Sequence, residues 1–166
     1  GFKDTQAAYR HLQDLAVESI KFLSTRRCRH FLAAIAPKLL ASIATTPSPD
    51  STLISLANVS ESIGGKAVLW ELFSSNTATM DLCVRVCAGS VYLSSILTGN
   101  PGMIDELLDS LMLNSLLDRD ALADQLDDLC RGANDIGPIL QSFKNSMHLR
   151  VGVRNILGKD TISETH

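Results

Sequence analysis

Two related stretches decide the fold: GKAVLWELF at residues 65–73 and SVYLSSILTGNPGMIDELLD at residues 90–109. In each, apolar residues recur every three or four positions, the spacing of one face of an α-helix. A shift of 24 positions aligns six pairs of identical or similar residues, which are Leu69 with Leu93, Leu72 with Ile96, Phe73 with Leu97, Asn76 with Asn100, Met80 with Ile104, and Asp81 with Asp105. The repeat predicts paired helices separated by sharp stops. It contains no catalytic motif, so it favours an interaction scaffold.

Helix caps and helix breakers predict more helices before the repeat. Asp4 caps a first helix, whose predicted inward side chains are Ala8, Leu12, Leu15 and Ile20. A second helix is predicted from about Arg26 to Ala44, kinked at Pro37, because proline removes a backbone donor and its ring crowds the preceding turn. A third is predicted to open at Asp50 or Ser51. It should end at Gly64-Gly65, where glycine can adopt the left-handed conformation that closes helices.

The same signals continue through and beyond the repeat. Asn76 and Gly89-Ser90 are predicted to cap helices, and Asn100-Pro101 is predicted to be a cap followed by a proline at the first helical position. The apolar face expected after it consists of Met103, Ile104, Leu107, Leu108, Leu111 and Met112. Asp118 is predicted to start a helix with inward residues Leu122, Leu126, Leu129 and Cys130. A last helical region is expected from about residue 135 to 157, interrupted or bent near Gly152.

These elements predict an all-α protein, a multi-helix bundle of about eight to nine helices built from helix hairpins. No segment shows the sustained alternation of apolar and polar residues that is typical of strands. We expect residues 1–158 to form one helical domain. Residues 159–166 should start the connection to a following domain, because Thr161, Ser163 and Glu164 lie in a stretch that resembles a capping box.

Composition and charge limit the function classes. The chain has 166 residues, is 45% hydrophobic and has a formal net charge of −3. Residues 1–49 hold seven Lys/Arg and three Asp/Glu, whereas residues 101–137 hold two and nine. This asymmetry could guide docking, although solvated helix faces would give the same pattern. No apolar run approaches the roughly 20 residues that span a bilayer, so we expect no membrane segment.

Candidate chemical groups do not form a site in the sequence. Cys83 and Cys87 could share a helix face, but no second ligand pair stands at a metal-binding spacing, so buried thiols are the simpler interpretation. The four histidines are scattered along the chain. We therefore predict no catalytic, cofactor-binding or metal-ligating residues. Four cysteines in a chain of this size favour reduced thiols and a cytoplasmic location.

The one dense basic cluster contains Arg26, Arg27 and Arg29, followed by His30. It could bind an anion, a phosphorylated partner or nucleic acid. Nucleic acid is disfavoured because the chain is acidic overall and no aromatic residues are interleaved with the arginines. We predict that Arg26, Arg27 and Arg29 form a docking face for a neighbouring domain, with a solvated face as the alternative.

The second copy of the repeat also carries a family resemblance. Its aromatic-Leu opening, Asn-Pro and acidic Asp-Glu-Leu-Leu-Asp resemble a signature of the bacterial glutamine-synthetase adenylyltransferases, large bifunctional enzymes that attach AMP to glutamine synthetase and remove it. The Arg26–His30 run with Pro37, the Pro-rich break at 46–50 and the segments 141–145 and 149–158 resemble the family in the same order. The resemblance covers nearly the whole chain. It implies the helical segment just before the second nucleotidyltransferase domain.

That resemblance implies chemistry outside this chain. The family's catalytic domains need a Gly-Ser turn followed closely by Asp-x-Asp on a strand, whose carboxylates hold metal ions. Here Gly89-Ser90 is followed by Val91-Tyr92-Leu93, and the Asp118-Arg119-Asp120 run is better explained as a helix start. The resemblance therefore implies a noncatalytic inter-domain segment, with ATP and Mg²⁺ used elsewhere in the full-length enzyme.

The partners implied by the resemblance are the neighbouring nucleotidyltransferase domains, glutamine synthetase and a small trimeric nitrogen-signalling protein. Family activity responds to glutamine, so this segment could carry part of that response. The alternative hypothesis is a free-standing helical adaptor that shares with the family only the pattern of residues that start and end its helix pairs.

Overall fold

The computed structural model describes residues 1–20, 22–105, 107 and 118–159. Over these residues it contains eight α-helices and one short 3₁₀ helix, joined by turns and loops. They are α1 (Thr5–Leu15), α2 (Thr25–Ala44), α3 (Pro49–Ser62), α4 (Lys66–Ser75), α5 (Thr77–Gly89), α6 (Val91–Gly99), the 3₁₀ helix Pro101–Met103, α7 (Arg119–Cys130) and α8 (Gly137–Ile156). No strand occurs within these ranges, and the predicted all-α multi-helix fold is confirmed.

The chain divides into two compact units, Gly1–Ile104 and Asp105–His166. The first contains α1–α6 and the 3₁₀ helix, and the second contains α7 and α8. The single domain over residues 1–158 and the connection at 159–166 stay predictions. The capping box predicted at 161–164 lies outside the described residues.

The core of the first unit forms where α2 packs on α4 and where α3 packs on α5 and α6. Trp70 and Leu93 lie in the apolar stretches of the two repeat copies, and both are buried, as the helical spacing of those stretches predicts. The rings of Trp70 and Phe73 pack with their centroids 5.9 Å apart. Other large and fully buried side chains of this unit are Leu15, Leu39, Ile43, Leu53, Leu56, Leu69, Met80, Leu82 and Leu97.

Side-chain caps begin most of the helices, as the sequence predicts. Asp4, Asn76, Ser90 and Asp118 each accept a hydrogen bond from the backbone N–H three residues further on, at 2.8–3.1 Å. Each bond satisfies one of the N–H groups that a helix start leaves without a partner. Gly64, with φ of +75°, follows the end of α3 as predicted.

Asn100 is a correction to the predicted cap. Its side-chain amide donates back to the Ile96 carbonyl at 3.0 Å, which closes the end of α6. The Pro101–Met103 turn that follows is 3₁₀ and receives no side-chain cap from Asn100. The two copies of the repeat therefore use the side chains of equivalent asparagines differently: that of Asn76 caps the start of α5, whereas that of Asn100 bonds back to the end of α6.

Other boundaries also differ from the prediction. Helix α1 ends at Leu15, so Ile20 does not belong to its inward face, and α3 starts at Pro49. Helix α2 runs through Pro37 without interruption, and α8 runs through Gly152 in the same way. The interruption predicted as one possibility near Gly152 is therefore wrong, whereas the kink at Pro37 and the bend near Gly152 stay predictions.

The predicted inward face of α7 is only partly buried. Leu122, Leu126 and Cys130 are only half-buried and Leu129 is exposed, so α7 has no buried residue. Periodicity locates the apolar face of a helix but cannot tell whether another element covers it. Of the face expected after Pro101, Met103 and Leu107 are buried. Leu108, Leu111 and Met112 lie outside the described residues.

Candidate docking face

The three arginines of the predicted docking face lie in the first turns of α2, and all are exposed. Ser24 caps this helix by accepting from the Arg27 N–H, and its first turn contains no acidic residue. A helix N-terminus carries a partial positive charge of about half a unit, so cations there add to the positive potential instead of neutralising it. This end of α2 is therefore a strongly positive surface.

Arg27 is held against the first unit, unlike its two neighbours. Its guanidinium pairs with the Glu71 carboxylate of α4 and lies over the Phe31 ring, 5.7 Å from the centroid. Both groups of the ion pair are about half exposed, so the pair contributes little to stability. It does fix the direction of the Arg27 side chain.

Arg26 and Arg29 remain as the accessible cations of the cluster. Positions three apart lie on the same face of a helix, so these two residues are neighbours. Over the described residues neither forms an ion pair. Phe22, in the segment before α2, is 88% exposed. The structure thus separates the predicted face into a structural arginine, Arg27, and a solvent-facing pair.

The start of α2 is fixed to the end of α1 through a single carbonyl. The Leu15 oxygen accepts from Trp70 Nε1 at 3.1 Å and from Cys28 Sγ at 3.3 Å. All three residues are buried. A backbone acceptor that α1 leaves unpaired at its C-terminus is therefore satisfied by side chains of α2 and α4.

The N-terminus of α4 is capped by a residue from a distant part of the sequence. Gly65 precedes α4 and has no side chain to cap it. The buried Glu18 carboxylate instead accepts from the backbone N–H groups of Lys66 (2.9 Å) and Ala67 (2.8 Å). A carboxylate at this position also interacts favourably with the helix dipole. The missing local cap is the only sequence signal of this contact.

Lys66 completes the joint between α1 and α4. Its buried ammonium donates to the carbonyls of Asp14 (2.9 Å) and Val17 (3.0 Å) and pairs with Glu61 at 2.7 Å. Its three N–H donors are thus used by three acceptors, as a buried ammonium requires. The hydrogen bond from Lys66, with a second from Ser19, holds the pKa of Glu61 below its ordinary value.

The surroundings of two buried cysteines, Cys28 and Cys83, disfavour the thiolate. Burial, together with the nearby Glu18 carboxylate, raises the pKa of Cys28. The pKa of Cys83 is raised well above its ordinary value because its hydrogen bond with Cys87 and its burial both disfavour the thiolate. A nucleophilic cysteine needs a depressed pKa, so these environments work against catalysis. All four cysteines are free.

Two open grooves border α3, and neither has the composition of an active site. One, about 680 Å³, lies between α3 and α6. The Ser62, Ser94, Ser95 and Thr98 hydroxyls on its wall donate to carbonyls of their own helices. The other, about 390 Å³, includes His11, Glu18 and Lys66 in its wall. Within the described ranges no group of three or more His, Cys, Asp or Glu could hold a metal ion.

The hydropathy of the helices gives no membrane span. Over the part of the chain that the structure describes, no single helix is long and apolar enough to cross a bilayer, and only α5 and α6 taken together, across a bend of 119°, reach that length and composition.

Comparison with known proteins identifies a set of relatives. The chain is 28% identical over 163 residues, 95% of its length, to the bifunctional glutamine synthetase adenylyltransferase/adenylyl-removing enzyme of Thioalkalivibrio sulfidiphilus, of which it covers 17%. It is 28% identical to the protein of that name from Chromobacterium violaceum, over 98% of this chain and 19% of the relative. The protein of that name from Methylococcus capsulatus is 29% identical over 76% of this chain.

The chain is therefore similar to a fragment of this enzyme in diverse bacteria, and the resemblance predicted from its sequence is confirmed. It spans less than one fifth of the length of the first two of these relatives. No family model matches the chain, and no solved structure matches it.

Proposed function

We propose that this chain, similar over 95% of its length to part of a bifunctional glutamine synthetase adenylyltransferase/adenylyl-removing enzyme, is a noncatalytic helical segment of such an enzyme. In this role it separates and couples two nucleotidyltransferase domains, next to the second of them. The observation that carries the proposal is the match of nearly the whole chain to only 17% of the relative. In the longer protein, ATP and Mg²⁺ serve the catalytic domains, and the substrate is glutamine synthetase. A cytoplasmic location, expected from the four cysteines, belongs to the same proposal.

The described residues support a segment without catalysis of its own. The Asp-x-Asp run at 118–120 lies at a helix start, where Asp118 caps α7 by accepting from the Ala121 N–H at 2.8 Å. A metal-binding pair would need both carboxylates directed at one ion. Asp118 is thus engaged in a structural role.

A direct assay tests the absence of catalysis. The purified chain is incubated with glutamine synthetase, ATP and Mg²⁺, and the synthetase is weighed by mass spectrometry. Its mass should not change. A second incubation with adenylylated synthetase should leave the AMP attached. Transfer or removal of AMP by this chain alone would disprove a noncatalytic segment.

The positive end of α2 is our candidate for the regulatory part of this function. Charge across an interface sets orientation and partner choice more than raw affinity. In the intact enzyme, Arg26 and Arg29 would face a partner: a neighbouring catalytic domain or the small trimeric nitrogen-signalling protein. Arg27 would support the face by its contacts with Glu71 and Phe31.

The regulatory role is tested in the full-length enzyme. Arg26→Glu with Arg29→Glu should leave the fold intact, because both residues are exposed and outside the ion pairs of the described residues. Both half-reactions, attachment and removal of AMP, are measured across a glutamine titration. We expect the double variant to shift the glutamine response. Lys38→Glu, an exposed lysine later in α2, is the matched control and should not.

Identical glutamine responses for the double variant, the control and the parent enzyme would remove the regulatory role from this face. Arg27 is left unchanged in this test because its reversal would also break its contact with Glu71 of α4 and so change more than the charge of the face.

A further inference from the structure

Helix α1 buries fewer of its residues than any other α-helix of the first unit. It has two buried residues, Ala8 and Leu15, whereas each of α2–α6 has at least four. Helices in proteins gain most of their stability from packing an apolar face. Among these described helices, α1 is therefore held least by its own packing and depends most on contacts at its two ends.

A single carboxylate joins the start of α1 to the start of α3. Asp50, in the first turn of α3, accepts from the backbone N–H groups of Lys3 at 3.0 Å and Asp4 at 3.2 Å. The bond from Lys3 and, less strongly, the bond from Asp4 hold the pKa of Asp50 below its ordinary value. Both bonds lie at the exposed surface, where water can replace them at little net cost in free energy.

Donors from two other helices hold the end of α1. The Lys66 ammonium and the Trp70 indole N–H of α4, together with the Cys28 thiol of α2, donate to carbonyls of residues 14–17 at 2.9–3.3 Å. A helix leaves backbone acceptors unpaired at its C-terminal end, so these donors satisfy them. Hydrogen bonds therefore tie α1 to its neighbours at both of its ends.

The chain that follows α1 also caps α4. Glu18 accepts from the backbone N–H groups of Lys66 and Ala67. Gly65, the residue before α4, has no side chain that could replace this cap. A departure of α1 that takes Glu18 with it would therefore leave the start of α4 without its acceptor.

The remaining helices have a core of their own. Helix α2 packs on α4, and α3 packs on α5 and α6. Of the large and fully buried side chains of this unit, Leu15 belongs to α1 and the others belong to α2–α6. Proteins open locally in cooperative pieces that leave the rest of the core intact. The Lys66 ammonium and the Trp70 indole N–H would be uncovered by such an opening, so water could replace their carbonyl partners.

We propose that α1 and residues 16–18 form a releasable strap. The strap opens as one piece while α2–α6 stay folded. Its opening breaks the contact with Asp50 at one end and removes the cap of α4 at the other. A ligand or domain that binds only the open form shifts the chain toward that form. The inference concerns the first unit alone and does not depend on the proposed enzyme.

Hydrogen exchange of the whole chain, followed for each amide by NMR, tests the strap. The conditions are chosen so that the exchange rate reports the equilibrium between closed and open forms. The N–H groups of Lys66 and Ala67 should have the same protection from exchange as the amides of α1. Their protection should be lower than that of the amides of α5, which exchange only when the core unfolds.

A substitution at one end of the strap should be felt at the other. Asp50→Asn turns one acceptor oxygen into a donor, which weakens the hold on the start of α1. It should speed exchange of the α1 amides and of the Lys66 and Ala67 amides by the same factor, about two- to tenfold. Asp81→Asn, at an exposed aspartate of α5, is the matched control and should change neither.

A second variant separates release of the strap from unfolding of the whole unit. Ile96→Val removes one methyl group from a buried position of α6. Since this part of the core persists in the open form, the variant should speed exchange in α5 by about two- to tenfold. Exchange in α1 and at Lys66 and Ala67 should stay unchanged.

Three results would overturn the proposal. One is protection of the Lys66 and Ala67 amides as strong as that of the α5 amides. Another is an Asp50→Asn variant that speeds exchange in α1 and leaves Lys66 and Ala67 unchanged, since the two ends would then open separately. The third is an Ile96→Val variant that speeds exchange at Lys66 and Ala67 by the same factor as in α5, since their exchange would then require unfolding of the whole unit.

Discussion

Replacing Glu18 by glutamine should destabilise the first unit, although the side chain keeps its size. The Glu18 carboxylate accepts two buried N–H groups, from Lys66 at 2.9 Å and Ala67 at 2.8 Å. In Glu18→Gln one acceptor oxygen becomes an NH₂ donor that faces an N–H. One backbone donor then loses its carboxylate partner.

The magnitude follows from these two bonds. A hydrogen bond to a charged group contributes about 1.5–3 kcal/mol, and a buried polar group left unpaired costs about 1–3 kcal/mol. Because the two figures describe the same lost bond, we expect a loss of about 2–3 kcal/mol for Glu18→Gln. With a urea dependence of about 2 kcal/mol per M, the unfolding midpoint should fall by about 1–1.5 M.

The chain carries its own reporter for this experiment. Trp70 is the only tryptophan, it is fully buried, and its indole N–H bonds to Leu15 within the same joint. Its fluorescence therefore follows unfolding of the first unit, whatever the second unit does. Urea titrations of the parent and the variant give the two midpoints.

Glu71→Gln is the matched control, with the same substitution at a glutamate of α4. Glu71 is 46% exposed in its pair with Arg27, and exposed ion pairs contribute about 0–1 kcal/mol. A midpoint for Glu18→Gln no lower than that for Glu71→Gln would refute the argument that Glu18 caps α4.

Three further predictions concern the first unit, each read from urea midpoints. Trp70→Ala or Leu93→Ala should cost roughly 2–5 kcal/mol, because each leaves a cavity in the core, and an unchanged midpoint would mean that the inward faces are wrongly assigned. Asn76→Ala removes the cap of α5 and should lower the free energy of unfolding by about 1 kcal/mol. Asn100→Ala should lower it less, because the Asn100 side chain does not cap a helix start, and equal losses of stability in the two variants would contradict this. Thr79→Val should raise stability by about 1 kcal/mol, since the buried Thr79 hydroxyl has no hydrogen-bond partner in the described structure, and a lower midpoint would show that the hydroxyl is satisfied.

Local signals in the sequence were enough to predict most helix starts. The four confirmed caps each accept a hydrogen bond from a backbone N–H only three residues away, so capping depends on the neighbouring backbone alone. They are Asp4, Asn76, Ser90 and Asp118. Gly64 ends α3 for the same kind of local reason. The cap predicted at Asn100 was wrong because an asparagine side chain can hydrogen-bond to the helix before it as well as to the helix after it. The sequence does not decide between the two.

The joint around Lys66 could not be predicted, because its contacts join residues about 50 positions apart. A glutamate and a lysine in an amphipathic segment normally indicate solvent exposure. Only Gly65, a helix start without a capping side chain, shows that a remote acceptor is needed. The docking face was predicted as three equivalent arginines, and Arg27 differs from the others because α4 places Glu71 beside it.

The joint at the end of α1 also determines how movement passes through the first unit. Side chains of Cys28, Lys66 and Trp70 bind carbonyls at the C-terminal end of α1, and these residues belong to α2 and α4. A displacement of α1 is therefore carried directly to both helices instead of being absorbed by a flexible connection. Under the proposed function, this joint would transmit a change in the position of α1 to the positive end of α2.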